Sequence, residues 1–319
     1  MDPLLLERFR DDLDPLIALD RRIGIAVSGG PDSLALLLLA SASRTGLVEA
    51  ATVDHGLREG SRAEAEAVAE LCGKLSVPHA ILTAGWKERP ASAIQERARR
   101  ERYRLLGYWA EEHGLDSILT AHHADDQAET LLMRLVRGAG VRGLAGMRRR
   151  STAPGTNIAL LRPLLGWRRS ELAEVCSAAS VTPAADPSNE DTRYERVRVR
   201  RALADSDWID PAAVARSAAN LADAEAALDW AARAAWRHGV REGSDAILYR
   251  PNGAPREIQR RIVARAVRRL ATEGEGELRR RELDPLLAAL LAGEQATIRG
   301  VHCSGGAEWS FASAPPRRR

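Results

Sequence analysis

Residues 24–33 read Gly-Ile-Ala-Val-Ser-Gly-Gly-Pro-Asp-Ser and run from an apolar strand-like stretch into the leucine run of a helix. A strand, a glycine turn and a helix start together leave free backbone N–H groups and a positive helix end where an anion can sit. Ser28, Gly29, Gly30, Pro31, Asp32 and Ser33 therefore form a candidate phosphate-binding turn. Asp32 and Ser33 could instead be ordinary caps that satisfy the same donors. The turn lies directly behind a buried-looking strand, where doubly wound sheets take their ligands, and that context favours the phosphate site. It has no lysine and no second spaced glycine, which excludes the nucleotide-triphosphate loop G-x-x-x-x-G-K-[ST].

Other groups could serve such a site. Asp54, His55 and Gly56 follow a second apolar run and fall on the same sheet edge; a plain polar turn, with Asp54 bonding its own backbone, is the alternative. Within residues 119–147, Asp125, Asp126 and Glu129 gather at a helix start, with His122 and His123 at the preceding strand end. Capping needs fewer acids than this. Asp126 and Glu129, three apart on one helical face, suit a magnesium–nucleotide site or a clasp for an ammonium group. Zinc on His122, His123 and Asp126 is disfavoured, with no third soft ligand and no cysteine nearby. Arg99, Arg102 and Tyr103 share one helical side by their spacing, although an exposed basic helix would look the same. Gly138, Gly140 and Gly143 spell G-x-G-x-x-G but follow a helix rather than a strand, so a mobile glycine-rich loop is the better reading than a dinucleotide turn.

Elements must bring these side chains together. Short β-rich runs at Ile23–Val27, Ala50–Val53, His79–Thr83 and Ser117–Ala121 alternate with helical patterns at about 32–42, 61–74, 91–113 and 126–137. This alternation predicts an α/β fold, a doubly wound parallel sheet covered by helices on both faces. A further βα-like piece at 159–179 extends it, and residues 182–201 read as a closing polar, arginine-rich loop. The first domain is placed at 1–205. The second, at 206–319, is mostly helical with a small strand-containing end near 296–305.

A chain of 319 residues is long enough for two domains. The net charge of +3 is modest, yet Lys74 and Lys87 are the only lysines, so nearly all positive charge is arginine. Arginine offers a planar fork to phosphates. Its clusters at 97–104, 134–150, 193–201 and 256–269 keep a nucleic-acid partner open, while a charged helix face explains any one of them, the last above all. No apolar run approaches the roughly 18 residues of a membrane span. The first residues are too acidic for a signal peptide, so no membrane partner and a cytoplasmic location are expected. Cys72, Cys176 and Cys303 are too scattered for a disulfide framework or a C-x-x-C pair.

Several of these stretches also carry a resemblance. S-G-G-x-D-S after a first strand resembles the loop of the N-type ATP pyrophosphatase (PP-loop) superfamily, whose fold is adenine nucleotide alpha hydrolase-like. Val53–Arg58 (VDHGLR), Ala98-Arg99-x-x-Arg102-Tyr103, the 119–147 stretch with a following Arg162-Pro163-Leu164, and Asp186–Asn189 (DPSN) with Arg196 and Arg200 resemble one branch, the tRNA(Ile)-lysidine synthetases. Val197 stands where that branch usually has Asn, and Val199 replaces Ile conservatively. The resemblance covers roughly residues 20–205 and implies ATP and Mg²⁺ as cofactors, with L-lysine and a tRNA(Ile) bearing a CAU anticodon as partners. It implies that residues 28–33 with Asp54 and His55 bind the nucleotide and that Asp32 and Asp126 hold Mg²⁺. Asp32, Arg99, Asp126, Glu129 and Arg196 would be catalytic, Asp126 or Glu129 holding the lysine amine and taking its proton. The arginine-rich C-terminal helices would grip tRNA phosphates or pack a homodimer.

Overall fold

The structure is a computed structural model that describes residues 2–56, 61–85, 94–184, 191–272 and 278–314. Leu57 and Arg58, the Asp186–Asn189 turn and the arginine-rich tail at 315–319 lie outside the described residues. The chain divides into two compact units, Met1–Ala222 and Asp223–Arg319.

The first unit is built on a sheet in the order β3-β2-β1-β4-β6-β5. Its strands are β1 (Ile23–Ala26), β2 (Val48–Asp54), β3 (His79–Thr83), β4 (Ser117–Leu119), β5 (Arg150–Thr152) and β6 (Ala159–Leu161). Every pairing is parallel except β5 on β6. The inner apolar runs β1, β2, β4 and β6 become strands because both their faces are covered, whereas the outer β3 and β5 keep some exposure. One face packs under α1 (Pro3–Leu13), α2 (Pro31–Ser43), α3 (Ser61–Lys74) and, after β6, α7 (Arg169–Ala178). The other packs under α4 (Ile94–Glu112) through Tyr103, Leu106 and Trp109. The expected doubly wound sheet is present, and α1 joins it without having been read from sequence, burying Phe9 and Leu13. At Gly24 in β1, an added Cβ would lie 2.6 Å from Cζ3 of Trp109 and 3.0 Å from Cδ1 of Leu115. Gly24→Ala should therefore destabilise the protein by about 1–3 kcal/mol, read from the urea midpoint, and a midpoint equal to wild type would refute that close packing.

Two sequence expectations change here. The stretch read as a closing loop contains a helix, α8 (Glu195–Ala204), preceded by α5 (Ala124–Leu135), against which it packs. The pattern was hidden because α8 carries arginine at four of its ten positions, and these interrupt its apolar residues, of which only Val197 and Leu203 are buried. Val197, the departure from the family pattern, is one of the two buried side chains of α8, so an apolar residue suits that position. The G-x-G-x-x-G stretch is tied down: Arg134 Nη1 donates to the carbonyls of Gly143 (2.7 Å) and Gly146 (3.1 Å), and Gly140 caps the short α6 (Val141–Leu144).

A long helix, α9 (Pro211–Gly239), contains the division between the units. The second unit is less purely helical than its sequence implied. Its antiparallel sheet runs β7-β8-β11-β10-β9, with β7 (Val240–Glu242), β8 (Ala246–Tyr249), β9 (Gln295–Ile298), β10 (Val301–Ser304) and β11 (Trp309–Ser313). Its core joins Trp309, Phe311 and Tyr249 to Ile262 and Val263 of α10 (Arg256–Leu270) and Leu287 of α11 (Arg280–Leu291). Much of the α10 arginine cluster is spent internally: Arg261 pairs with Glu225, Asp229 and Glu257, and Arg260 with Asp284. No described helix is long and apolar enough to cross a membrane.

Candidate active site

The glycine turn is closed by serines. Ser33 Oγ donates to the carbonyl of Gly30 (2.9 Å) and accepts from the backbone N–H of Ser28 (3.1 Å) and from Ser28 Oγ (3.2 Å). Gly29 has φ of +84°, a left-handed conformation open to glycine, and its carbonyl receives the N–H of Ala184. Helix α2 starts with Gly30 at the cap position and has no side-chain cap bond. Asp32 is thus free of the capping duty that its position allows. One of its oxygens, Oδ1, is buried without a hydrogen-bond partner.

The other Asp32 oxygen faces a fully buried imidazole. His123 Nε2 lies 3.4 Å from Asp32 Oδ2 and 3.5 Å from Asp126 Oδ2, and its Nδ1 lies 3.5 Å from Asp125 Oδ2. Burial works against a charge on this ring, but the carboxylates of Asp125, Asp32 and Asp126 outweigh it and push the pKa up to about 9. The neighbouring His122 goes the opposite way, down to about 3, because burial disfavours its charge and Arg162, Arg99 and Arg196 repel it. The two adjacent histidines are thereby shifted in opposite directions.

Helix α8 supplies the counter-charges for α5. Arg196 reaches Asp126 Oδ1 through Nη2 and Glu129 Oε2 through Nε, each at 2.6 Å. Arg200 Nε donates to Glu129 Oε1 at 2.7 Å, and Arg169 stands 3.6 Å from the same oxygen. Glu129 is 1% exposed, so these arginines stand in for water around it.

Of the remaining expected residues, Arg99 and Arg162 act on His122, while Asp54 and His55 lie at the end of β2. Arg99 lies over the ring of Tyr103, with Cζ 5.1 Å from the centroid, and its charge is felt at His122. Arg162 is buried and bonds the carbonyl of Arg148 and Ser151 Oγ. At the end of β2, Asp54 Oδ1 accepts from Gly56 N–H (2.9 Å) and Ser61 Oγ (2.6 Å), and these bonds hold its pKa low. The Asp54 turn is thus the local backbone arrangement that the sequence allowed. His55 accepts from Arg102 Nε at 3.3 Å, and burial with the Arg102 charge lowers its pKa to about 4.

Arg168 and Arg169 escaped the sequence reading; a pair of arginines just before a helix is a weak signal. Arg168 Nε and Nη2 and the N–H of Arg169 all donate to Asp125. Burial alone would raise the Asp125 pKa, but His123, Arg168 and the Arg169 N–H hold it well below the usual carboxylate range. A carboxyl lowered on folding adds stability above its unfolded pKa, about 3.9, and that contribution is lost as pH falls through the lower folded value. The Tm gap between wild type and Asp125→Asn should therefore be widest near neutral pH and shrink below about pH 4. A gap constant down to pH 3 would contradict this.

Among the described residues no three His, Cys, Asp or Glu side chains could hold a metal ion by themselves. Magnesium is commonly bound by one or two carboxylates together with substrate phosphates and water. The unpartnered Asp32 Oδ1 fits that role. Both Asp126 oxygens already carry donors, Arg196 on Oδ1 and the N–H of His123 on Oδ2.

A family model for the PP-loop domain matches residues 5–206. The chain is 46% identical over 317 residues to a tRNA(Ile)-lysidine synthase of Novosphingobium aromaticivorans, covering 98% of this chain and 94% of that one. It is 42% identical to another from Zymomonas mobilis, covering 94% and 91%. Among solved structures, the U34-tRNA thiolase NcsA of Methanococcus maripaludis shares the fold, with a TM-score of 0.58 and 16% identity over 69% of this chain and 77% of that one.

Proposed function

This chain belongs to the tRNA(Ile)-lysidine synthase family of PP-loop proteins, and from that premise we propose how its site works. It ligates lysine to C2 of the wobble cytidine in the CAU anticodon of tRNA(Ile), consuming ATP. A cytoplasmic setting, where ATP and tRNA are met, goes with that reaction. The C2 oxygen of the cytidine bonds to the α-phosphorus of ATP as the bond to the pyrophosphate oxygen breaks. The ε-amine of lysine then bonds to C2 as the C2–O bond to AMP breaks, and the amine gives up a proton.

The turn at Ser28–Ser33 receives the leaving pyrophosphate on backbone N–H groups at the start of α2. Asp32, whose Oδ1 has no donor, would hold Mg²⁺, which when bound would supply charge neutralisation at the phosphates, while Asp126, whose oxygens both carry donors, is kept for the amine. Arg99 and Arg196 stabilise negative charge that grows at the α-phosphate, and Asp54 and His55 border the nucleoside. For the amine, Asp126 is the better acceptor: its side chain is 13% exposed, against 1% for Glu129. Glu129 instead fixes Arg196 and Arg200, and Arg196 must release Asp126 when the amine arrives. The single observation that carries this reading is the meeting of Asp32, with its unpartnered buried oxygen, and Asp126 on one imidazole nitrogen.

The test uses ATP, radiolabelled lysine and tRNA transcripts that differ only at the wobble base. Label should enter the cytidine transcript alone; equal labelling of all transcripts, or none, would overturn the assignment. Sulfur transfer is the rival chemistry. Cys72, Cys176 and Cys303 are each buried, and burial pushes their thiols up to about 11, 11 and 12, which leaves little thiolate at neutral pH. The second unit would grip tRNA phosphates or pair two copies. A steep fall of tRNA affinity with salt, lost when residues 223–319 are exchanged for a neutral helical bundle, supports the grip, and a sedimenting dimer supports the pairing.

A further inference from the structure

His123 serves none of the steps above, yet its ring is 0% exposed and ringed by acids. Nε2 faces two carboxylates at once, Asp32 at 3.4 Å and Asp126 at 3.5 Å, while Nδ1 faces Asp125 at 3.5 Å. Asp125 is held from behind by the Arg168 guanidinium and, at 2.8 Å, by the N–H of Arg169. A line of contacts thus runs from the start of α7 through Asp125 and the imidazole to Asp32 of α2 and Asp126 of α5.

Space filling does not explain a histidine here. A leucine would fill similar volume without placing polar nitrogens in the interior, which costs free energy unless they are served. Two carboxylates this close repel one another when nothing lies between them. An imidazole nitrogen between them sets their separation, and a third carboxylate on the far nitrogen fixes the ring's orientation, the logic by which outer groups position metal-site ligands.

Resting on the reading of the site given above, we propose that His123 is a positioning residue: Asp125 orients its ring, and the ring fixes Asp32 against Asp126, so that the phosphate turn and α5 meet the magnesium-bound nucleotide as one preset surface. Neither His123 nor Asp125 touches the nucleotide in this arrangement.

The test measures nucleotide binding directly, by calorimetric titration of the full chain with ATP and magnesium without tRNA or lysine, beside thermal unfolding. His123→Leu keeps the volume and removes the donors, whereas His123→Gln keeps a donor. Affinity, read at a temperature below both unfolding midpoints, should fall about tenfold or more in His123→Leu and recover most of the way in His123→Gln. Asp125→Asn should also weaken binding, and it carries the test with His123→Gln if the leucine variant does not fold. Equal affinities in the leucine and glutamine variants, or wild-type affinity in Asp125→Asn, would overturn the proposal. Wild-type protein that binds ATP but labels no tRNA would overturn the assigned reaction and leave this role standing.

Discussion

Alanine in place of Asp32 should abolish pyrophosphate release while tRNA binding survives. The physical ground is that Asp32 sits at the start of α2, free of cap bonds, with Oδ1 buried and unpartnered. A buried anionic oxygen left without a donor is costly in the free protein and is repaid when a cation and phosphates arrive. Loss of such a contact at a reacting phosphate removes several kcal/mol of transition-state stabilisation, a fall on the order of 10²–10³-fold or more in rate. Folding should change little, because His123 keeps Asp125 and Asp126 as partners. Pyrophosphate release with ATP, lysine and tRNA, beside filter binding of tRNA, reads both halves. Turnover equal to wild type would remove the phosphate turn from the mechanism.

The second large effect concerns stability. Replacing Arg196 and Arg200 together by methionine leaves the carboxylate of Glu129, which is 1% exposed, with Arg169 at 3.6 Å in place of its two closest cations, and should cost about 3 kcal/mol. Glu129→Gln should cost less, about 1–3 kcal/mol, because the two arginine side chains are 36% and 27% exposed and can turn to water. The same double arginine replacement in a Glu129→Gln background should then lose much of its effect. Urea unfolding of the four proteins measures the coupling. Simple additivity would show that Glu129 does not depend on α8. Turnover should fall with the arginine replacements as well, since they free α5 from the helix that holds its acids.

Much of the site was legible because its parts are local. A glycine pair between an apolar strand and a leucine helix can be read from eight or ten neighbouring residues, and β1 and α2 form there. Ser61–Lys74 and His79–Thr83 coincide with their expected bounds, since period and turn residues agree along both segments. The 196–201 stretch was misread for the opposite reason: with so many arginines, α8 has almost no apolar stripe, and its helix is held by ion pairs to residues 67 to 71 positions away. The antiparallel sheet of the second unit was also mostly hidden. Its strands have three to five residues, too few for alternation to stand out.

The sequence by itself therefore determined the doubly wound class, the phosphate turn, the order of the motifs and the membership of the family, because each is written in contiguous residues. Only the tertiary structure decided what surrounds the acids. Asp126 and Glu129 look equivalent on one helix, but packing leaves one within reach of water and buries the other beneath two arginines. His123 looks like the twin of His122, yet three carboxylates from two elements favour a charge on one while burial and arginines disfavour it on the other. Charge in a protein interior is set by neighbours a few ångströms away, and those neighbours are chosen by the fold rather than by spacing along the chain.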